Sequence, residues 1–170
     1  MLANIRPLFF DTVVLSNFAC VKGGIPLLVK KYHHRGKVTF QVLQEIAKAS
    51  YSGWEHLDEI ENELFQKSGF EKISLNAQEH PHYLSLLRNL GDGEASCIAV
   101  AKKRNGIVVT DDRAARNFCK EQDIPITGTL GILKSTCLEN SIKPDEADKM
   151  LKDMISFGFY SPIHRISDIL

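Results

Sequence analysis

The sequence has no excess of charge of either sign and no long apolar segment. The 21 Lys and Arg residues are balanced by 21 Asp and Glu residues, so a nucleic-acid-binding surface, if there is one, must be a local patch. No apolar run approaches the roughly 20 residues that a membrane-spanning helix needs. The opening segment MLANIRPLFFDTVV lacks the long apolar core and the small-residue cleavage site of a secretory signal. We therefore expect a cytoplasmic protein without a membrane partner.

Cysteine pairs and glycine-rich loops are also missing. The four cysteines, at positions 20, 97, 119 and 137, lie far apart and form no C-x-x-C pair, which favours free thiols in a reducing cytosol over a zinc site or a disulfide framework. The segment GDGEAS is not a dinucleotide fingerprint, because Ser96 stands where the third glycine would be needed. There is no P-loop. These two absences make a nucleotide-binding module the least favoured of the functions considered for this sequence.

The chain does contain short apolar runs that alternate with longer helical patterns. This alternation predicts an α/β fold whose central, mainly parallel sheet has about five strands. The predicted strands are residues 8–10, 38–40, 70–75, 107–110 and 124–127. Without a repeat or a linker, residues 1–170 are predicted to form a single domain, with a helix and tail from about residue 144 packing on the body.

Acidic residues follow two of the predicted strands. Asp11 comes after LFF, and Asp111 and Asp112 come after GIVVT. Because ligands bind at the carboxyl ends of the strands in open α/β sheets, these carboxylates can meet at one edge. The alternative for each is a helix N-cap, a position where Asp is favoured. For one acid the two interpretations are about equal, and the repetition at two strands favours a site.

Two glutamates are weaker candidates when spacing alone is considered. Glu94 opens a helix after LGDG, where it would equally complement the helix dipole, with Asp92 as a candidate N-cap beside it. Glu45, in QVLQEIAKAS, falls between the buried and exposed faces of its helix and is either solvated or directed into a cleft. Most such glutamates are solvated.

A cluster of these acids would have a definite chemistry. Converging carboxylates repel each other and need protonation or a divalent cation. Their hard oxygen atoms favour Mg²⁺ or Mn²⁺ over zinc. A cation held by carboxylates can polarise a phosphoryl oxygen and generate a hydroxide nucleophile. Hydrolysis of phosphodiesters is therefore the predicted reaction.

Basic and nucleophilic residues have functional and ordinary interpretations. The clusters KKYHHRGK (30–37) and AKKRN (101–105) either contact RNA phosphates or complement helix ends. Arg113 and Arg116 are better placed, directly after the acidic T-D-D; Arg113 would bind the scissile phosphate or merely pair with Asp111. Ser16 has no evident Ser–His–acid partners, so nucleophilic catalysis is unsupported.

Five segments in this order resemble PIN domains. They are FFDTVVLSNFA, VLQEI, LGDGEASCIAVA, IVVTDDRAAR in the T-x-D form, and GTLGIL with the late FGFYSP. The resemblance runs from about residue 8 to residue 161. The last segments are similar to a bacterial and archaeal VapC-like subgroup that often occurs in toxin–antitoxin pairs and whose toxins are ribonucleases.

The resemblance implies a three-layer α/β/α fold and an endoribonuclease that depends on Mg²⁺ or Mn²⁺. The catalytic residues that it implies are Asp11, Glu45, Glu94, Asp112 and Thr110. The implied metal ligands are Asp11, Glu94, Asp112 and Asp111, and the implied substrate-binding residues are Arg113, Arg116 and Asn17. Thr110 would orient a metal-bound water or a neighbouring carboxylate. Glu94 replaces the commoner Asp of the wider family, which keeps the charge and lengthens the reach.

The resemblance also implies partners: an RNA substrate, an antitoxin protein and a second copy of the chain. An amphipathic pattern over residues 54–67, with Trp54, Leu57, Ile60, Leu64 and Phe65 near one face, predicts a helix whose apolar face is a candidate dimer interface. The alternative from a different class is a PIN-fold protein without nuclease activity that binds nucleic acid or protein.

Overall fold

The sheet of this protein is built entirely from parallel strands. A computed structural model describes residues 5–66 and 69–170. Its five strands follow the order β3-β2-β1-β4-β5, and each neighbouring pair is parallel. They are β1 (Leu8–Phe10), β2 (Gly36–Thr39), β3 (Glu71–Ile73), β4 (Ile107–Val109) and β5 (Ile126–Thr127). The predicted α/β class with a parallel sheet of about five strands is confirmed.

Helices cover the sheet in the three-layer α/β/α arrangement. The helices are α1 (Thr12–Ala19), α2 (Gly24–Tyr32), α3 (Phe40–Tyr51), α4 (Ile60–Leu64), α5 (His80–Leu86), α6 (Asp92–Arg104), α7 (Arg113–Glu121), α8 (Thr129–Leu138) and α9 (Pro144–Ser156). Helix α6 packs against β1, β2 and β4 and is flanked by α3, α5 and α7. Contacts also join α1 to α2 and α8, and α8 to α9. Within the described ranges, no helix is long and apolar enough to cross a membrane.

Helix α6 and strand β1 form the centre of the core. The residues of α6 from Ala95 to Ala101 are all buried, because small and apolar side chains surround the helix on every side. All three residues of β1 are buried as well, as expected for a parallel strand with helices on both faces. Helix α6 ends at Asn105, whose left-handed φ of 51° turns the chain directly into β4.

The strand order creates one crevice at the carboxyl edge of the sheet. From β1 the chain moves outward through β2 to β3, then returns through α5 and α6 and adds β4 on the other side of β1. The connections on the two sides of the β1–β4 pair therefore diverge, and such a switch point is where open α/β sheets bind ligands. Asp11 follows β1 and Thr110 follows β4, so both residues stand at this crevice.

The predicted helix over residues 54–67 is wrong. Residues 55–57 form a 3₁₀ turn and residues 60–64 form the short helix α4, while residue 67 lies outside the described part of the chain. Leu57, Ile60 and Leu64 are buried in the core, and α4 packs on α2. The amphipathic pattern correctly indicates that these side chains are buried. The backbone buries them with a 3₁₀ turn and a short helix, however, and not with one continuous helix. The apolar face proposed as a dimer interface is therefore used inside the protein.

Smaller differences concern the ends of elements. Phe40 was predicted to end a strand, but it begins α3, because the Thr39 hydroxyl accepts a hydrogen bond from the Val42 N–H (3.2 Å) and caps that helix. Asp92 was predicted as the N-cap of α6, whereas Gly91 holds that position and Asp92 accepts a hydrogen bond from the Tyr83 hydroxyl (2.8 Å). Beyond α9, the final 3₁₀ turn, Ile166–Ile169, packs against α8 and α9.

Candidate active site

Asp11 is fixed at the crevice by two residues that come just after the two central strands, Thr12 after β1 and Thr110 after β4. Its Oδ1 accepts a hydrogen bond from the Thr12 N–H (2.7 Å), and its Oδ2 accepts one from Thr110 Oγ1 (3.0 Å). Thr110 Oγ1 in turn accepts a hydrogen bond from the Asp112 N–H (3.1 Å). Asp11 has no exposed surface. The threonine after β4 therefore orients the carboxylate after β1.

Glu45 reaches the same crevice from the flank of α3. The Thr12 hydroxyl donates a hydrogen bond to Glu45 Oε2, and the Gly93 N–H donates one to Oε1 (2.8 Å). A Cβ atom at Gly93 would lie 2.5 Å from Glu45 Oε2, closer than van der Waals contact allows. Glycine at position 93 is therefore what lets helix α6 approach the Glu45 carboxylate.

Glu94 joins Glu45 at the amino-terminal end of α6. A Cβ atom at Gly91 would lie 2.6 Å from Glu94 Oε2 and 3.8 Å from Glu45 Oε1. Both glutamate side chains therefore border the same small space above Gly91. The first turn of a helix also favours negative charge, because its free N–H groups point toward the carboxylate. Glu94 therefore complements the dipole of α6 and belongs to the acidic cluster at the same time.

Like-charge repulsion and burial perturb this cluster strongly. Burial raises the pKa of Asp11 to about 8, with further contributions from Glu94 and Glu45. Burial also raises the pKa of Glu94, and the charges of Glu45 and Asp112 add to the effect. The structure thus brings Asp11, Glu45, Glu94 and Asp112 within electrostatic reach of one another. These are the acids that the sequence resemblance ranked first.

Asp112 combines the two interpretations that its sequence position left open. It is the N-cap of α7, and its Oδ1 accepts a hydrogen bond from the Ala115 N–H (2.7 Å). Its Oδ2 has no hydrogen-bond partner in residues 5–66 and 69–170, and its charge reaches Glu94. Asp11 is likewise the N-cap of α1, although the adjacent Thr12 N–H is the one backbone N–H of α1 that its side chain accepts. Capping and site membership therefore coexist at both strand ends.

Asp111 belongs to a different group of contacts. It accepts hydrogen bonds from the Thr129 N–H (2.9 Å), from Thr129 Oγ1 (2.5 Å) and from Asn17 Nδ2 (3.2 Å). These bonds tie α1 to the start of α8. The predicted metal-ligand role of Asp111 gains no support from these contacts, which suit a positioning residue. Asn17 supports this group through its amide.

The two arginines predicted to bind substrate have different surroundings. Arg116 Nη1 donates hydrogen bonds to the carbonyl oxygens of Thr110 (2.9 Å) and Thr127 (3.5 Å), so its guanidinium links the ends of β4 and β5. Arg113 is exposed, and within the described ranges it forms neither a hydrogen bond nor an ion pair, including the pair with Asp111 considered above. Both arginines line a cavity of about 520 Å³ that also includes Tyr160. Arg113 is the cation available to a ligand.

The two basic clusters are partly neutralised within the fold. Lys31 pairs with Glu139, and Lys37 pairs with Glu71. Arg104, from the cluster AKKRN, pairs through Nε with Glu79 Oε1 (2.7 Å). Glu79 is fully buried, so this pair is structural. Each of these three cations is paired with an acid of the same chain, exposed in the case of Glu139 and Glu71, which weakens the interpretation of the clusters as RNA-binding surfaces.

The acidic cluster suits a divalent cation by its chemistry more than by its present geometry. Four carboxylates supply the hard oxygen ligands that Mg²⁺ and Mn²⁺ prefer. The pKa values of Asp11 and Glu94 are raised first by burial and then by neighbouring negative charges, and a bound cation would offset both effects. However, no three His, Cys, Asp or Glu side chains of residues 5–66 and 69–170 are arranged to hold a metal ion. Both oxygens of Asp11 and of Glu45 accept hydrogen bonds from protein donors instead.

Residues that sequence reasoning did not assign also contact this site. Thr12, the residue after Asp11 in FFDT, donates to both Asp11 and Glu45, and its place in the motif was the available signal. The buried Cys97 thiol donates to the Phe10 carbonyl oxygen (3.6 Å), and burial raises its pKa well above the ordinary value, so it stays protonated. Both residues stabilise the carboxylates' surroundings without carrying charge.

Ser16 does have a histidine partner, contrary to the sequence-based expectation. Ser16 Oγ and His56 Nε2 lie 2.9 Å apart, although 40 positions separate them in the chain. No local motif reports a contact at that separation. Within the described residues no carboxylate bonds to His56, so a Ser–His–acid triad remains unsupported.

An open parallel sheet with clustered carboxylates at its switch point defines an α/β domain with an acidic site of the kind used in phosphodiester chemistry. The family model DUF3368, described as a PIN domain, matches residues 8–170. The chain therefore belongs to the PIN-domain family, and the family prediction is confirmed. Membership of a narrower subgroup with the GTLGIL motif stays a prediction.

Two solved structures share this fold at low sequence identity. PAE2754 from Pyrobaculum aerophilum matches with a TM-score of 0.51 and 17% identity, covering 75% of this chain and 86% of that one. A chain of VapBC2 from Rickettsia felis, solved bound to a DNA fragment from their promoter, matches with a TM-score of 0.51 and 12% identity, covering 71% of this chain and 98% of that one. A search of curated proteins found no significant match.

Proposed function

We propose that this protein is a metal-dependent endoribonuclease whose active residues are Asp11, Glu45, Glu94 and Asp112. PIN domains are generally nucleases. The observation that carries the proposal is the fully buried Asp11, whose pKa burial and two neighbouring glutamates raise to about 8. Burying repelling carboxylates destabilises a fold, so their convergence favours a functional site over a structural one.

Asp11, Glu94 and Asp112 would hold Mg²⁺ or Mn²⁺, with Glu45 completing the negative charge around it. When bound, such a cation would neutralise the carboxylates and polarise a phosphoryl oxygen of the phosphodiester, whose phosphorus atom is attacked. Thr110 and Thr12 keep the Asp11 and Glu45 carboxylates oriented through their hydroxyl groups. Water is the nucleophile, so cleavage leaves a 5′-phosphate and a 3′-hydroxyl.

Arg113 is the side chain that we assign to the phosphate next to the scissile bond. It is exposed, it follows Asp112 directly, and it lines the cavity of about 520 Å³ beside the site. Its lack of internal partners within the described ranges leaves its donors available for a bidentate contact with phosphate. Arg116, which holds two backbone carbonyl oxygens, is assigned to positioning the ends of β4 and β5. Asn17, predicted to bind substrate, is assigned to supporting Asp111.

Cleavage of a labelled RNA oligonucleotide by the purified protein tests the proposal. With Mg²⁺ or Mn²⁺, the wild type and an Asp145→Asn control, altered at an exposed acid on α9, are expected to cleave the RNA. A chelator should stop both. Asp11→Asn should reduce the rate at least about 100-fold, an effect expected when an electrostatic contribution to catalysis is lost. If Asp11→Asn cleaves RNA as fast as the wild type, the assigned site is wrong.

We further infer that the nuclease is the toxin of a toxin–antitoxin pair and acts in the cytoplasm as a homodimer. The structural likeness to a VapBC2 chain supports the pairing, and the four free cysteines suit a reducing compartment. A small protein encoded directly upstream would be the expected antitoxin. Induced expression of the wild type should arrest growth, and co-expression of the upstream protein should restore it. Continued growth with active nuclease present would refute the toxin role.

A further inference from the structure

A cavity of about 500 Å³ lies next to the acidic cluster and has no role in the function proposed so far. Helix α1, the segment after α3 and the end of α9 form its walls. Among its lining residues are Thr12, Ser16, Trp54, His56 and Phe157. No Asp, Glu, Lys or Arg of the described residues lines it. The cavity is therefore suited to an uncharged group, and a phosphate there would find no cation.

Aromatic rings that face solvent line part of this cavity. Trp54 is 53% exposed and Phe157 is 64% exposed, so both rings present surface to a ligand in the cavity. The His56 ring stands between them, with its centroid 5.7 Å from that of Trp54 and 6.5 Å from that of Phe157. Exposed rings at the wall of a cavity provide the stacking surface that unpaired nucleobases use in single-stranded nucleic acid complexes.

A polar pair within the cavity complements these rings. Ser16 Oγ and His56 Nε2 form a hydrogen bond of 2.9 Å, and each group retains hydrogen-bonding capacity toward a ligand. Burial lowers the pKa of His56, which keeps the imidazole uncharged at neutral pH. The cavity thus combines apolar stacking surface with a few neutral donors and acceptors, a composition typical of small-molecule and base-binding sites.

Thr12 connects the cavity to the carboxylates. It lines the cavity, its hydroxyl donates to Glu45, and its N–H donates to Asp11. A group bound in the cavity would therefore lie beside a phosphate held at the acidic cluster, with Thr12 between them.

We propose that this cavity binds one unstacked nucleobase of a single-stranded RNA, adjacent to the cleaved phosphodiester. The base stacks on the exposed aromatic rings, and its edge contacts the Ser16–His56 pair. The proposal rests on the proposed nuclease function, since it names the form of RNA that the site accepts. It predicts that a base in a duplex, which is stacked and paired, cannot enter the cavity.

Trp54 is the one tryptophan of the sequence, so intrinsic fluorescence reports on this cavity directly. The Asp11→Asn protein is titrated in Mg²⁺ with a short oligouridylate, with an abasic ribose-phosphate oligomer of the same length, and with an oligouridylate–oligoadenylate duplex. The single strand is expected to quench Trp54 fluorescence with saturation. The abasic oligomer and the duplex should leave the emission nearly unchanged, because neither presents a free base.

Phe157→Ala tests the stacking contact, with Tyr51→Ala as the matched control. Both rings are exposed, so both variants should keep the wild-type melting temperature, but Tyr51 does not line the cavity. Measured by fluorescence anisotropy of the labelled oligouridylate, Phe157→Ala should bind between about fivefold and 150-fold more weakly, which is the effect of removing one stacking ring. Tyr51→Ala should bind like the wild type.

The two proposals fail in different ways. Equal quenching by the abasic oligomer or by the duplex would overturn the base-binding proposal, as would wild-type affinity of Phe157→Ala. If the wild type cleaves RNA but the single strand does not quench Trp54 fluorescence, the base-binding proposal is also overturned. If the wild type cleaves no RNA, but the single strand quenches Trp54 fluorescence and Phe157→Ala weakens binding, the base-binding proposal is supported and the proposed nuclease function is refuted.

Discussion

Replacing Asp11 by Asn is expected to stabilise the metal-free protein, although Asp11 is the residue on which the proposed reaction most depends. Burial raises the pKa of Asp11 from its ordinary value of 3.8 to about 8. The unfolded chain therefore releases this proton near pH 4, whereas the folded protein keeps it until about pH 8. Because the folded state binds the proton more tightly, the free energy of unfolding falls as the pH rises from about 4 to about 8.

The size of the effect follows from the pKa difference. Between the unfolded pKa of 3.8 and pH 7 there are about 3 pH units, and at about 1.36 kcal/mol per unit they lower the stability of the wild type by about 4 kcal/mol. Asn carries no charge and escapes this loss. Its carbonyl oxygen can still accept the Thr12 N–H, and its amide can donate to Thr110 Oγ1, so both neighbours of position 11 remain partnered.

Urea denaturation in a chelator at about pH 5, 7 and 8.5 measures this effect. The stability advantage of Asp11→Asn should grow from about 1–2 kcal/mol at pH 5 to about 4 kcal/mol at pH 7, and should level off at about 5–6 kcal/mol above pH 8. Asp145→Asn removes a first-turn acid of α9 and should lower the stability by less than about 1 kcal/mol, by the same amount at each pH. Added Mg²⁺ should raise the stability of the wild type and leave the Asp11→Asn variant nearly unchanged. An advantage that does not grow with pH would refute the assigned burial and repulsion.

Other predictions concern three further positions. Replacing Gly by Ala within a helix usually stabilises a protein by about 0.5–1 kcal/mol, but Gly93→Ala should show no such gain, because the added Cβ displaces Glu45. The same displacement should slow RNA cleavage at least about tenfold. A wild-type rate in the cleavage assay would contradict this. Arg104→Met should lower the free energy of unfolding by about 3–5 kcal/mol by leaving the buried Glu79 unpaired; a loss under about 1 kcal/mol in urea denaturation would show that the pair is dispensable. Arg113→Ala should leave stability within about 0.5 kcal/mol and reduce the salt dependence of RNA binding by about one phosphate contact; an unchanged salt slope would remove Arg113 from the substrate path.

The acids that sequence reasoning placed best are those at strand ends. Asp11 and Asp112 each follow a short apolar run, and parallel strands carry such positions to a common edge whatever the details of packing. Glu45 and Glu94 depend instead on how closely α3 approaches α6. Gly93 leaves the room that the Glu45 carboxylate occupies between them, and a helical wheel drawn for either helix alone contains no information about that space. Family resemblance ranked the two glutamates where spacing could not.

Sequence reasoning missed two kinds of feature: polar contacts between distant residues, and breaks in the backbone within a periodic segment. The Ser16–His56 contact spans 40 positions and belongs to no motif. In residues 54–67 a helical period of apolar residues was interpreted as one helix. Leu57 and Ile60 are buried in the core, as the period indicates. They lie on two separate elements, a 3₁₀ turn and the short helix α4, and Trp54 remains exposed at a cavity wall. Periodicity reports which side chains are buried more securely than it reports the continuity of the backbone.

The pairing of β1 with the late strand β4 also affects when the site can form during synthesis of the chain. The hydrogen bond between Thr110 and Asp11 spans 99 positions, and Asp112 is supplied by the same late strand end. A growing chain therefore carries β1, β2 and β3 long before it can hold the fourth acid, and an amino-terminal fragment that ends before β4 lacks Thr110 and Asp112. The proposed nuclease would therefore gain its complete set of acids only after residue 112 has left the ribosome.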